Sequence, residues 1–417
     1  MIPLHRPPFG IGTVMASMLL GGENRSLRRL EESYAEASGC AATVWLPSAR
    51  AGICWALRAA IGAQTTVIGP AFACAAVHEA MVRSGGNVRL VEPGESDFLM
   101  DERTLFESLA GDHALVLCEA YGHGYDLAQL QAGAASPPVV RIVDMAMSVP
   151  HPALFQRIRS NDFAVISFGQ GKSMYAGWGS MGFCRDLALA REVRRLRDAL
   201  LAQSEFGLLL QRAARVCLQT AAHYPPVYSI AWKLWYQGRA VLTRVKQVRP
   251  GGSSEKALKP APVGFPVAWS DNQSRSKEWS LPSTRLDRGL ASRNLQQAKS
   301  AFETRLALAR RYYENLQGAK AIICPKVSPY ALSHYTIRVG ASIRNPVKQR
   351  LLKAGIYTIS LWTFPPHLDK DRFPATFRTS SEVINLPLAP WMSKKHVDRV
   401  CEGVIQCVEA CLREPLE

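Results

Sequence analysis

Short apolar runs alternate with amphipathic stretches over the first half of the chain. Residues 27–38 carry charge on one face and Leu, Tyr and Ala on the other, which predicts a helix. Residues 51–61 predict a second helix, opening behind a turn at Pro47-Ser48-Ala49-Arg50. The β-branched run 66–68 stops at Gly69-Pro70 and predicts a short strand; 75–84 predict another helix. Residues 88–91, 114–117, 139–143 and 163–166 predict further strands, the third interrupted by Arg141. Such alternation predicts an α/β fold with a mostly parallel sheet covered by helices on both faces. Ligands of such sheets bind at the carboxyl ends of the strands, so candidate chemistry is sought just after each strand.

The pattern then changes. Residues 187–203 predict one charged helix rich in Arg and Leu. Residues 206–250 hold no Asp or Glu but carry Arg212, Arg215, Lys233, Arg239, Arg244, Lys246 and Arg249, interleaved with Tyr and Trp. Pro225-Pro226 divides this stretch into two expected helices. Further on, 290–316, 347–354 and 394–412 predict helices, and 335–339 and 357–361 predict strands, a smaller α+β unit. The expected organisation is a large domain over 1–205, a basic aromatic connection over 206–282 and a small C-terminal domain over 283–417.

Composition adds charge to this picture. The 417 residues are 47% hydrophobic and 20% charged, which excludes disordered, collagenous and coiled-coil classes. A net charge of +16 suits anionic partners, phosphorylated small molecules among them. The ten cysteines are scattered, with no C-x-x-C pair and no zinc-finger spacing, so buried reduced thiols, no metal site and a cytoplasmic setting are expected. The uncharged stretch 9–22 is short and glycine-containing and is not read as a signal peptide; no apolar run reaches membrane-spanning length.

Four features follow strands. Ser48-Ala49-Arg50 opens a helix, whose first N–H groups can cradle a phosphate or simply take an ordinary cap. Cys74, at the end of Pro70-Ala71-Phe72-Ala73-Cys74, can cover a flat ring or pack in the core. Asp144 ends the run 139–143, and a carboxylate there needs a cationic partner, either a structural arginine or a protonated pyridine nitrogen. Ser167-Phe168-Gly169-Gln170-Gly171-Lys172 sets a hydroxyl and an amine in a glycine-rich loop, where a partly desolvated Lys can act as a nucleophile.

Taken in order and spacing, Asp144, Ser167-x-x-x-x-Lys172 and the glycine-rich continuation resemble pyridoxal-phosphate enzymes of the aspartate aminotransferase fold. More narrowly, the chain resembles the DegT/DnrJ sugar aminotransferases, near-continuously over 45–200 and more loosely at Lys353-Ala354-Gly355-Ile356, Pro366-His367 and Asn385-Leu386-Pro387-Leu388. The resemblance implies a three-layer α-β-α large domain, a smaller α+β domain and a homodimer. It places Lys172 on the lysine that carries the cofactor and Asp144 on the carboxylate facing the pyridine nitrogen. Ser167, Ala49 and Arg50 fall on phosphate-binding positions, Cys74 where an aromatic ring often stacks, and Arg285 near a segment lent by the partner subunit. Three positions depart from the family pattern: Met147 stands for Gln or His, Arg50 for a small residue, and Glu119 for His.

The leading expectation is therefore a pyridoxal-phosphate aminotransferase moving an amino group from an amino acid, with glutamate the expected donor, to a keto group of a sugar nucleotide or related anionic precursor. A pyridoxal-phosphate enzyme with a non-sugar substrate and a non-catalytic cofactor-binding regulator are the alternatives. Nucleic acid is not expected, because no reader element accompanies the basic residues. The segment 206–250 suits peripheral docking to a membrane or an acidic protein, with packing of its aromatics on the enzyme itself as the alternative.

Overall fold

A computed structural model describes residues 2–3, 8–20, 26–95, 98–109, 111–133, 136–200, 206–222, 279, 281–325, 328–330 and 332–413. Among these, seven strands form one sheet: β1 (Ala42–Leu46), β2 (Thr66–Pro70), β3 (Asn87–Val91), β4 (His113–Cys118), β5 (Arg141–Asp144), β6 (Asp162–Ser167) and β7 (Ser180–Cys184). Their order is β1-β7-β6-β5-β4-β2-β3. The pairs β2/β3, β2/β4, β4/β5 and β5/β6 are parallel. Strand β7 runs antiparallel to both β1 and β6. Strand β1 therefore points the same way as β6, and the carboxyl ends of β1, β2, β4, β5 and β6 lie along one edge.

The strands are apolar on both faces because both faces are covered. Val116, Ile142 and Val165 join one core with Ile53 and Trp55 of the helix Ala49–Ala60. Their neighbours Leu117, Val143 and Ile166 join the opposite core with Leu30, Tyr34 and Leu290. Alternation along a strand thus feeds two helical layers, which makes the expected α-β-α sandwich. Arg141, which interrupted the apolar run, is buried in β5. Its Nε and Nη2 donate to the two carboxylate oxygens of Asp162 at 2.8 Å each, and Nη1 donates to the Leu127 carbonyl at 3.4 Å.

A second, antiparallel sheet has the order β10-β9-β8, from β8 (Ile322–Ile323), β9 (Tyr335–Val339) and β10 (Val383–Leu386). It packs with the helices Ala341–Lys353 and Lys394–Arg413. The helix Arg285–Leu316 serves both units: Leu286, Leu290 and Phe302 lie in a core of the large sheet, and Leu308, Tyr312 and Leu316 in that of the small sheet. A capping box starts it, Thr284 accepting from the Asp287 N–H while the Asp287 carboxylate accepts from the Thr284 N–H.

Several expectations change. The expected strand 357–361 is reduced to a single bridge, Ile359 with Asn385. Beyond it, Leu361 N–H donates to Asn385 Oδ1 at 2.7 Å and Trp362 adopts φ 59°, so the chain leaves the sheet. The stretch 9–22 contains a helix, Ile11–Leu20, that packs on Arg285–Leu316 and Phe206–Ala222. Of the basic segment, 206–222 forms the helix; 223–250, with Pro225-Pro226 and five of the seven cations, lies outside the described residues. Arg212 is buried against Asp287 and so cannot serve an outside surface. No helix among the described residues is long and apolar enough to cross a membrane. All ten cysteines are unpaired.

Arg141→Leu is expected to strand the Asp162 carboxylate and cost about 3–5 kcal/mol in urea unfolding, with much of the loss recovered in Arg141→Leu/Asp162→Leu. A cost below about 1 kcal/mol in the single variant would contradict this account of β5.

Candidate active site

The edge shared by the parallel strands brings together side chains from four turns. Asp144 is the last residue of β5 and is buried. Its Oδ1 accepts the Ala146 N–H at 3.0 Å, and Cys118 Sγ, at the end of β4, donates to Oδ2 at 3.5 Å. Those two partners are weak compensation for a buried charge. Burial raises the Asp144 pKa above the usual carboxylate range, and the positive charge of Lys172 opposes the rise. Burial, reinforced by the nearby Asp144 and Cys74, also pushes the Cys118 thiol well up.

Lys172 sits in the loop between β6 and β7. The Phe168 N–H donates to Gly179 O at 2.9 Å and the Ala176 N–H to Phe168 O at 3.0 Å, which close the base of the loop. Gly179 adopts φ +93°, and a Cβ there would lie 2.1 Å from the Trp45 ring, so the turn admits only glycine. Half-buried Lys172 reaches Met147 Sδ with its Nζ at 3.1 Å, while Ser173 Oγ donates to Met147 O at 3.3 Å. A thioether is a weak acceptor and no donor, so Met147 holds the amine only loosely.

The remaining expected residues surround this centre. Ser167 Oγ accepts the Gly169 N–H at 3.3 Å. Ser48 caps the helix Ala49–Ala60 by accepting the Ala51 N–H at 3.2 Å, with Ala49 and Arg50 in its first turn. The Arg50 guanidinium turns to Glu79 Oε2 at 2.9 Å. What the turn presents to an anion is therefore its backbone and the positive end of the helix. Cys74 is half-buried and directly precedes the helix Ala75–Ser84. Arg285 is exposed on the first turn of its helix.

Two features escaped the sequence reading. Phe72, Phe98, Tyr121, Met147 and Val383 form an apolar cluster joined by Leu361 and Trp362. Tyr121 (φ 57°) and Trp362 (φ 59°) stack at 4.7 Å, and the Tyr121 hydroxyl donates to Leu361 O at 3.1 Å, tying the β4 end to the small domain. Left-handed backbone at two aromatic residues is uncommon and marks a place where the surroundings dictate the conformation. The second feature is the ion pair that Arg157 makes with fully buried Glu119, a residue the sequence marked only as a departure from the family's His; the Arg157 guanidinium covers the Tyr330 ring at 4.4 Å. Burial raises the Glu119 pKa, while Arg157 lowers it.

The DegT/DnrJ/EryC1/StrS aminotransferase family model matches residues 14–207 and 285–405, and the chain belongs to that family. It is an aminotransferase, and its cofactor is pyridoxal phosphate. No curated protein matches it in sequence. Among solved structures the fold is similar to DesV of S. venezuelae (19% identity, 95% of each chain, TM-score 0.65). It is also similar to the sugar aminotransferase CalS13 of Micromonospora echinospora (18% identity, 97% of this chain and 100% of that one, TM-score 0.67). NtdA of Bacillus subtilis, solved with bound PMP, shares the fold as well (16% identity, 98% and 86%, TM-score 0.63).

The residues present fit that cofactor. A protonated pyridine nitrogen would give buried Asp144 the cation that its two hydrogen-bond partners, a thiol and a backbone amide, are not. Ser167 and the helix start at Ala49-Arg50 suit its phosphate, and the Lys172 amine suits its aldehyde. The fit fails at one position, since Met147 offers no proton to the ring hydroxyl.

His123 also lies buried beside this edge, its ring 5.6 Å from Phe98, and burial lowers its pKa to about 4. The unfolded chain therefore binds the extra proton first, and stability falls as pH drops from the usual histidine range toward 4. At pH 4.5 the wild type should lose about 2–3 kcal/mol relative to pH 7 that His123→Gln does not lose. Parallel pH profiles of urea unfolding in the two proteins would contradict the burial of a neutral ring.

Proposed function

We propose that this aminotransferase moves an amino group from an amino acid, glutamate by expectation, to a keto group of a sugar nucleotide or closely related anionic precursor. The observation that supports this reading most directly is a buried Asp144 carboxylate and the Lys172 amine, close enough for the amine's charge to act on the carboxylate, at adjoining strand ends. Pyridoxal phosphate, when bound, supplies an electron-withdrawing ring that takes up the electron pair released at the substrate carbon. Asp144 holds the proton at the ring nitrogen by charge pairing. Lys172 would hold the cofactor through its aldehyde, and its amine would move the proton at the substrate carbon as general base and acid. Cys74 would cover one ring face. Ser167 and the amides at Ala49-Arg50 bind the phosphate. Met147 leaves the ring hydroxyl without a side-chain donor.

Around this centre, Phe72, Tyr121 and Trp362 exclude water and bound the acceptor pocket. The net charge of +16 favours an acceptor bearing phosphates. In the homodimer, the segment at Arg285 reaches toward the partner's site. Light scattering should report a dimer, and a fully active monomer would contradict the shared site.

Glutamate added to the purified holoenzyme should bleach the cofactor's visible band and release one equivalent of 2-oxoglutarate. No amino acid producing that change would overturn the transaminase reading. Asp144→Asn should keep the fold and lose about 100-fold or more in rate, roughly 3 kcal/mol of barrier. Near-normal turnover in that variant would remove Asp144 from the mechanism.

A further inference from the structure

The helix Phe206–Ala222 falls almost wholly in the part of the chain that the family model passes over, between residues 207 and 285. It nevertheless packs directly on the loop that carries Lys172. The Tyr175 hydroxyl donates to Gln219 Oε1. Arg215 Nη2 donates to Gln170 Oε1 at 3.5 Å. The Trp178 ring takes two guanidinium groups, Arg212 at 5.1 Å and Arg215 at 6.0 Å from its centroid. Val216 lies so close to Gly177 that a Cβ there would sit 3.2 Å from Val216 Cγ2. The helix is itself anchored: Arg212 is paired with Asp287 and donates to Pro282 O at 3.0 Å.

These contacts bracket Lys172 on both sides, at Gln170 before it and at Tyr175, Gly177 and Trp178 after it. The arc between them contains Gly171, at φ +80°, which eases its backbone. The one hydrogen bond of the Lys172 amine among the described residues is to a thioether, so the loop that carries it, held also by Asn294 at Met174 O and Tyr175 O, does much of its positioning.

We propose that the helix Phe206–Ala222 is a positioning clamp for Lys172, with Arg215 and Gln219 as the positioning residues. The proposal rests on the reading of Lys172 as the cofactor lysine. Neither residue touches the reacting atoms; each acts through the loop. A small displacement of a reacting amine is enough to slow chemistry by one to two orders of magnitude, about 10- to 100-fold.

Arg215 is exposed and Gln219 half-buried, so Arg215→Ala, Gln219→Ala and the double variant should fold. The first measurement is amide hydrogen exchange in the cofactor-free protein, which does not depend on what Lys172 does. In the double variant the amides of 168–178 should exchange about tenfold or more faster, with β5 and β6 unchanged. The second is made on the holoenzyme. The pH midpoint of the cofactor's visible band should shift, and kcat should fall about tenfold while the donor KM changes less than about twofold. Gln219→Glu, which keeps an acceptor for the Tyr175 hydroxyl, should restore the midpoint. Unchanged loop exchange would overturn the clamp, whatever Lys172 does. Faster loop exchange with an unmoved midpoint would instead overturn the assignment of Lys172 as the cofactor lysine.

Discussion

A carboxylate at the end of a buried strand sets the terms for the rest of this molecule. Asp144 cannot keep its charge in that place on a thiol and one backbone amide, and burial drives it toward the neutral form. The positive charge of Lys172 is what opposes that drift, and it comes from the neighbouring strand end. Parallel strands are what make this arrangement available. They deliver the residues after β1, β2, β4, β5 and β6 to one edge, so the helix start at Ala49-Arg50, Cys74, Asp144 and Lys172 come to one place without any one loop spanning the site.

The same edge joins the two halves of the molecule. The helix Arg285–Leu316 lends its first turns to one core and its last turns to the other. At the site itself the Tyr121–Trp362 stack and the Tyr121 hydroxyl bond to Leu361 O fasten the β4 end to the small domain. Both aromatic residues hold left-handed backbone angles, so the wall over Met147 is fixed by strained turns packed against each other.

Much of this was legible in the sequence, for physical reasons that differ by element. Strands β2, β4 and β6 were readable because short apolar runs end at turns, and Asp144 and Lys172 because chemistry-bearing residues follow such runs. Strand β1 was missed because Ala42 and Thr43 leave it an apolar run of only Val44-Trp45-Leu46, and β7 because Ser180-Met181-Gly182-Phe183-Cys184 continues a glycine-rich stretch that reads as loop. Residues 357–361 have the composition of a strand, but Asn385 and Tyr121 take the hydrogen-bonding groups of Leu361 and turn the chain away. The Glu119–Arg157 pair and the packing of Phe206–Ala222 on the lysine loop join residues far apart in sequence. Neither leaves a local signal, and only the fold brings them together.

The central claim is that Lys172 carries the cofactor beside Asp144. Borohydride reduction of the holoenzyme, followed by proteolysis and mass mapping, tests it most directly. The account predicts one phosphopyridoxyl group, on the peptide containing Lys172, and none on that peptide in Lys172→Ala, which should also have no measurable turnover. A label on any other lysine, or turnover persisting in Lys172→Ala, would contradict it.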